Sequence, residues 1–330
     1  MTIRSNAAEP NYYSLLYFDR QNNVNPNTRK KLDGASSYDP IDIYIKNAAN
    51  CAKSAQYFGL SYSVITNNKA LVDERMAALA INHLPVIEHR FQLDVPKKIR
   101  FYAAHFKLEL FSLFATGAWG ERVGLIDTDT VFLKKLDTDT GPVDALYVYD
   151  ISSQIRRSYG DNVPAESVGQ ITGVSSPDAR WFGGEALVGS AAAFKALAIQ
   201  TEAVWPGYLK CMDRLFHVGD EAVTSAALNT LRLNGYPIVE WSQGGPIRRW
   251  FTATTLHRQL TFGEALPGCC LLHLPTDKEF LANRSNQPYT PESFIADFRQ
   301  YARRKLLPRR IYSSLRNMVP GQQRRYTAAL

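Results

Sequence analysis

Gly124-Leu-Ile-Asp-Thr-Asp-Thr-Val-Phe132 is the stretch that decides the fold. With Arg122 and Val123 before it, an apolar run of strand length meets two carboxylates at once. Open α/β sheets bind their ligands in the crevice at the carboxyl ends of buried strands. The strand is expected to stop at Ile126, with Asp127 and Asp129 opening a loop in which their side chains converge. Converging carboxylates suit Mg²⁺ or Mn²⁺, hard cations that leave positions open for phosphate oxygens. The task of such an ion would be to neutralise a departing diphosphate. A second copy, Asp137-Thr-Asp139, follows Lys134-Lys135 with no apolar strand before it and reads as a solvated turn.

Outward from that strand, short apolar runs alternate with helical patterns, the signature of a largely parallel sheet between helices. Strands are expected at 14–19, 62–66, 85–89, 122–126, 145–149, 185–188 and 237–241. Helices are expected at 41–59, from the second strand through Ala80, at 98–117, 191–203 and 221–233. The polar, proline-bearing stretch Asn283 to Pro291 divides a body, 1–282, from a tail, 283–330.

The chain has 330 residues, 45% of them hydrophobic, enough for a sizeable core and against general disorder. Its four cysteines show no CxxC spacing, which speaks against zinc or a disulfide framework and for a reducing, cytoplasmic setting. No apolar run follows Arg4 and none reaches bilayer length, so neither a signal peptide nor a membrane span is expected. The net charge of +7 is a property of the tail: nine basic residues and no acid follow Phe298, leaving the preceding residues at −2. Pro308 is expected to divide the tail into two short amphipathic helices. Their arginines among Leu306, Leu307, Ile311, Tyr312, Leu315 and Met318 suit the anionic inner face of a membrane, or else a helix covering the body. No nucleic-acid-binding motif accompanies the charge.

The sequence resembles the GT-A glycosyltransferases, the retaining ones in particular. Leu125 to Phe132 is similar to the DxD strand of the glycogenin-like and bacterial lipopolysaccharide α-glycosyltransferases, and to the DVDxVF segment of the blood-group A/B transferase family. Phe106-Lys-Leu108 stands where glycogenin-like enzymes carry an arginine that reaches the donor, which implies that role for Lys107, with Arg100 as the alternative. Trp181-Phe-Gly-Gly-Glu-Ala-Leu-Val-Gly189 resembles the segment lining the donor-sugar and acceptor pocket. His217-Val-Gly-Asp-Glu-Ala222 resembles the acidic helix start beneath the anomeric carbon, and Leu271-Leu-His-Leu-Pro-Thr-Asp-Lys278 the late segment whose imidazole completes the metal site. The order and spacing match from about residue 10 to 280. Two departures are a lysine in place of arginine at 107 and no HxxGxxKPW pattern after His273.

The resemblance implies a mixed, mostly parallel GT-A sheet flanked by helices. It implies transfer of a hexose-type sugar from a nucleotide diphosphate donor, UDP-sugar first, to a glycan or lipid-linked glycan acceptor. Asp127, Asp129 and His273 would hold Mn²⁺, which a nitrogen ligand favours over Mg²⁺. Glu221 is preferred over Asp220 as the carboxylate near the anomeric carbon; acids in a first helical turn are also favoured by the helix dipole alone. Asp19 and Thr66, at the ends of the first two strands, would meet the nucleoside, and Lys278 a phosphate. Gly183 and Gly184 would let backbone approach a sugar, Trp181 would stack on a ring or plug the core, and Glu185 stands beside them. Tyr147 to Asp150 would face the acceptor. Retention is preferred; an inverting enzyme, a nucleotidyltransferase and a non-catalytic binding protein remain as alternatives.

Overall fold

Arg122–Ile126 is a strand in which every residue is buried, fourth of seven in the main sheet. The computed structural model describes residues 9–18, 39–97, 99–138, 141–241, 245–252 and 259–317. In chain order the first half contains β1 (Asn11–Leu16), α1 (Pro40–Tyr57), β2 (Tyr62–Thr66), α2 (Lys69–Ala78), β3 (Val86–Glu88), α3 (Lys107–Phe114), β4 (Arg122–Ile126), β5 (Thr130–Phe132) and β6 (Leu146–Asp150). The second half contains α4 (Ser152–Tyr159), α5 (Val163–Thr172), β7 (Phe182–Ser190), α6 (Ala191–Cys211), α7 (Asp220–Leu233) and β8 (Ile238–Trp241). It ends with β9 (Ile247–Arg249), α8 (Phe262–Ala265), β10 (Leu271–His273), α9 (Lys278–Arg284) and α10 (Pro291–Asn317).

The main sheet runs β3-β2-β1-β4-β7-β6-β8, with β7 alone reversed. It is the mixed, mostly parallel sheet flanked by helices that the alternating pattern predicts. Local chemistry starts the helices where the sequence suggests: the Asp39 carboxylate accepts from Ile41 N at α1, the Asn68 amide oxygen from Leu71 N at α2, and the Ser190 hydroxyl from Ala193 N at α6. Gly124 is required in β4 because a Cβ there would collide with the Tyr12 ring of β1.

A three-stranded sheet, β5-β10-β9, stands apart from the main one. The chain leaves the main sheet after Ile126, turns through Asp127-Thr-Asp129, and enters the small sheet at Thr130. The Thr130 hydroxyl closes the turn by donating to the Asp127 carbonyl at 2.7 Å. Antiparallel pairing sets His273 opposite Thr130, so β10 delivers its histidine beside the aspartate turn.

Three expectations change. The helix expected over 98–117 is a 3₁₀ turn, Tyr102–Phe106, followed by α3, because Phe101 takes a left-handed φ of 56° that α-helix does not pass through. The first strand lies earlier, at 11–16 rather than 14–19, because the Asn67 side chain bonds both backbone groups of Phe18, giving them a partner outside the ladder. Pro308 does not divide the tail: α10 runs continuously from Pro291 to Asn317, although an interior proline removes one backbone bond and crowds the carbonyl four residues before it. Helix α6 likewise continues through Pro206.

The first turns of α10 belong to the body. Phe294, Phe298 and Ala302 are buried with Val131, Trp250, Phe262, Leu272, Leu274 and Phe280 in a second core beneath the small sheet. Phe298 lies 4.8 Å from Phe262 and 5.6 Å from Trp250, ring centroid to centroid. Phe298→Ala is expected to cost about 3–5 kcal/mol, measured by equilibrium urea denaturation; a loss under about 1 kcal/mol would mean that the helix does not pack here.

Candidate active site

A cleft of about 270 Å³ opens at the carboxyl ends of β1 and β4 and is walled by Tyr17, Phe101, Lys107, Asp127, Asp129, Gly184, His217, Asp220, Glu221, Arg249, Phe251, His273 and Lys278 among others. One ligating atom each from Asp127, Asp129 and His273 lie within 4.8 Å of one another. His273 Nε2 is 3.3 Å from Asp129 Oδ1 and 3.8 Å from Asp127 Oδ2, while its Nδ1 is 3.4 Å from the Glu185 carboxylate. With the ring proton on Nδ1 toward Glu185, the Nε2 lone pair faces two carboxylate oxygens, an arrangement that a cation between them resolves.

The charge around the cleft points the same way. Asp127, Asp129, Glu185, Asp220 and Glu221 bring five negative charges; Lys107, Arg249 and Lys278 bring three positive ones, leaving −2 for a divalent cation to offset. The residues present therefore fit a divalent ion, and two carboxylates with one imidazole are a donor set that Mn²⁺ accepts.

Each lysine is shared with an aspartate of the trio. Lys107 Nζ donates to Asp127 Oδ1 at 2.5 Å and to the Gly184 carbonyl at 2.9 Å, and pairs with Asp220 Oδ2 at 3.2 Å. Burial would push its ammonium pKa down, but Asp127 and Asp220 raise it well above its ordinary value. Burial likewise opposes ionisation of Asp127, and Lys107 overturns that and holds its carboxyl below the usual range. Lys278 pairs with Asp129 Oδ2 and sits 5.3 Å over the Tyr44 ring.

A second ion-pair chain runs behind the histidine. Arg249 Nε donates to Glu185 Oε1 at 2.6 Å, and its Nη2 donates to Glu185 Oε2 and Glu221 Oε1, each at 2.5 Å. Glu221 also accepts from Trp181 Nε1 at 3.2 Å and Gly184 N at 3.3 Å. Burial would raise the Glu221 pKa, yet Arg249 and His217 hold it well below the carboxylate range.

The folding of β7 allows this chain. Between Val148 and Tyr149 the partner on β7 jumps from Leu187 to Gly183, so Gly184 to Ala186 bulge out of the β6 ladder. Glu185, fully buried, thus reaches His273 and Arg249. A Cβ on Gly183 would collide with the Glu185 carboxylate, and one on Gly184 would lie 2.6 Å from Asp220 Oδ2.

The residues expected at the site divide accordingly. Asp127, Asp129, His273, Lys107, Lys278, Gly184, Asp220 and Glu221 all line the cleft. Trp181 does not: it is wholly buried, packs on Phe216 with centroids 4.6 Å apart, and acts on Glu221 from behind. Glu185 and Gly183 serve the buried ion pairs rather than facing the cleft. Arg100 is exposed beside the Phe101 ring, 5.0 Å from its centroid, and does not reach the cleft. Thr66 is buried at the end of β2, where its hydroxyl accepts from Asn68 N. Tyr147 to Asp150 are buried in β6, with Asp150 held by Ser152 and Arg180. Asp19 lies outside the described residues; so does Asp139, while Asp137 is exposed. Arg249, Phe101 and His217 are additions. Arg249 stands in Ile247-Arg-Arg-Trp250, adjacent arginines between apolar residues, and the pattern does not separate it from Arg248, which is itself buried.

These features define an α/β protein with a carboxylate–imidazole donor cluster at the end of a central buried strand. No family model matches the sequence, and no curated protein does. Among solved structures, the chain is similar to an apo structure of the WbbM bifunctional glycosyltransferase, at 10% identity over 88% of this chain and 51% of that one, with a TM-score of 0.49. It is also similar to the galactosyltransferase LgtC in complex with donor and acceptor sugar analogues, at 12% identity over 86% of this chain and 98% of that one, with a TM-score of 0.46. The chain spans about half the length of the WbbM chain.

Removing Arg249 leaves Glu185 buried without its cation. Arg249→Gln is expected to destabilise the fold by about 3–5 kcal/mol in urea denaturation. Arg249→Gln combined with Glu185→Gln should lose less than the single variant, because Glu185 then no longer carries an unpaired buried charge.

Proposed function

We propose that this chain is a metal-dependent glycosyltransferase of GT-A type that moves a hexose-type sugar from a nucleotide diphosphate donor, UDP-sugar first, to an acceptor hydroxyl. The observation that carries the reading is the meeting of Asp127, Asp129 and His273 in a cleft that also presents two more carboxylates, Asp220 and Glu221. Held by the first three, Mn²⁺ would neutralise the charge that develops on the departing diphosphate.

The chain's own residues supply the rest. Lys107 and Lys278, each lent to an aspartate of the trio, are the cations at hand for phosphate oxygens. Arg249 and His217 keep Glu221 ionised, and its oxygens are further held by Trp181 and Gly184, so it presents a fixed negative charge toward an oxocarbenium-like centre. Asp220 is gripped by Lys107 on one oxygen and offers the other to the reacting sugar. Such an acid pair, fixed beside the donor, suits a retaining transfer with an α-linkage. Tyr17, Phe101 and Phe251 furnish the apolar walls that rings of donor and acceptor would lie against.

The setting we propose is bacterial surface-glycan assembly at the cytoplasmic face of a membrane, with a glycan or lipid-linked glycan as acceptor. No described helix is long and apolar enough to cross a membrane. The basic sequence late in α10, Arg309, Arg310 and Arg316, suits attraction to anionic lipid.

Donor hydrolysis with and without Mn²⁺ tests the reading. The wild-type chain should release nucleoside diphosphate from one nucleotide sugar only when Mn²⁺ is present, and Asp129→Asn should lower that rate by more than about a hundredfold. Turnover unchanged by the substitution would remove the metal site from the chemistry.

A further inference from the structure

One residue before Lys278, and outside the cleft, the Asp277 side chain is completely enclosed. Four groups converge on it. Oδ1 accepts from Thr252 Oγ1 at 2.5 Å, from Lys305 Nζ at 2.8 Å and from Tyr301 OH at 3.1 Å, and Oδ2 accepts from Thr276 Oγ1 at 3.1 Å. Lys305 also donates to the Thr276 carbonyl at 3.1 Å and to Tyr301 OH at 3.0 Å. Tyr301 and Lys305 belong to α10, whereas Thr252 follows Phe251, a wall of the cleft.

A buried carboxylate needs an opposite charge and hydrogen bonds to its lone pairs. Among the described residues, the cation paired with Asp277 is Lys305, which α10 supplies. The short segment 274–278 is held to the site at both ends. Leu274 N donates to the Asp129 carbonyl at 3.0 Å, and Lys278 Nζ reaches the Asp129 carboxylate. The aromatic contacts of Phe298 fix α10 to the second core without direction, while the Asp277 bonds fix one point of the segment in register with the cleft.

We infer that Asp277 is a positioning residue, with Lys305 of the C-terminal helix as its counterion, and that the pair sets Lys278 against the aspartate turn for contact with the donor diphosphate. The donor contact rests on the sugar-transfer reading; the lock between α10 and residues 274–278 does not. The C-terminal helix is then part of the site's construction rather than an appendage to it.

The test uses the full chain with Lys305→Met, Lys305→Arg and, as a control on the exposed face of the same helix, Arg303→Ala. Hydrogen exchange of the peptide covering 274–281 and acetylation of the Lys278 amine, both read by mass spectrometry, report the lock without reference to activity. Lys305→Met should speed both by at least about fivefold, with Lys305→Arg restoring most of the protection and Arg303→Ala changing neither. In donor hydrolysis with Mn²⁺, Lys305→Met should raise the donor KM by about tenfold or more while kcat falls less, the pattern of a misplaced phosphate contact. Exchange and labelling unchanged in Lys305→Met overturn the lock. A changed exchange with an unchanged donor KM overturns the donor role. A wild-type chain that turns over no nucleotide sugar overturns the sugar-transfer reading, and the exchange comparison still decides the lock.

Discussion

Five carboxylates gathered around one small cleft are the constraint from which the rest of the architecture follows. Left alone they would repel one another and resist burial, so each is answered by a cation brought from a distant part of the chain. Lys107 comes from the start of α3, Arg249 from β9 and Lys278 from the start of α9. The sum over these groups is still −2, and beside them two carboxylates and an imidazole nitrogen converge. Glycines at 183 and 184, the bulge in β7 and the full burial of Glu185 make sense as accommodations to this charge.

The two sheets divide the labour. The main sheet ends at Ile126 and delivers the aspartates; the small sheet begins at Thr130 and, through the β5–β10 register, delivers the histidine. Because His273 approaches from a separate sheet, its place depends on whatever holds that sheet. Trp250, Phe262, Phe280 and the aromatic residues of α10 do so by packing. The residues of β9 and its continuation alternate in use: Arg249 and Phe251 line the cleft, while Trp250 and Thr252 face the second core and Asp277.

Features whose cause is local were legible in the sequence. An apolar run ending in two acids reads as a buried strand meeting a crevice, and α1, α6 and α7 start within one residue of their expected positions. His273, Lys107, Asp220, Glu221 and Lys278 are indicated by the resemblance of their segments and by the order in which those segments stand. Features caused by distant partners were not. The need for Arg249 arises from a glutamate 64 positions away, so nothing within its own segment distinguishes it from Arg248. In the sequence Trp181 fits a sugar platform and a core plug equally; only the packing of Phe216 and the bond to Glu221 decide for the second. Glu185 and Gly183 stand beside cleft residues in sequence, but the alternation and bulge of β7 turn them inward. The continuity of α10 past Pro308 ran against the local rule, and helix α3 fell short of its expected length because of one left-handed residue, Phe101.

Anomalous X-ray diffraction at the manganese edge, from crystals grown with Mn²⁺ and UDP, tests the central claim most directly. The account predicts one strong peak within bonding distance of Asp127, Asp129 and His273, with the diphosphate against it and Lys278. A cleft that binds the nucleotide with no manganese at these three residues, or manganese bound only elsewhere on the chain, would contradict it.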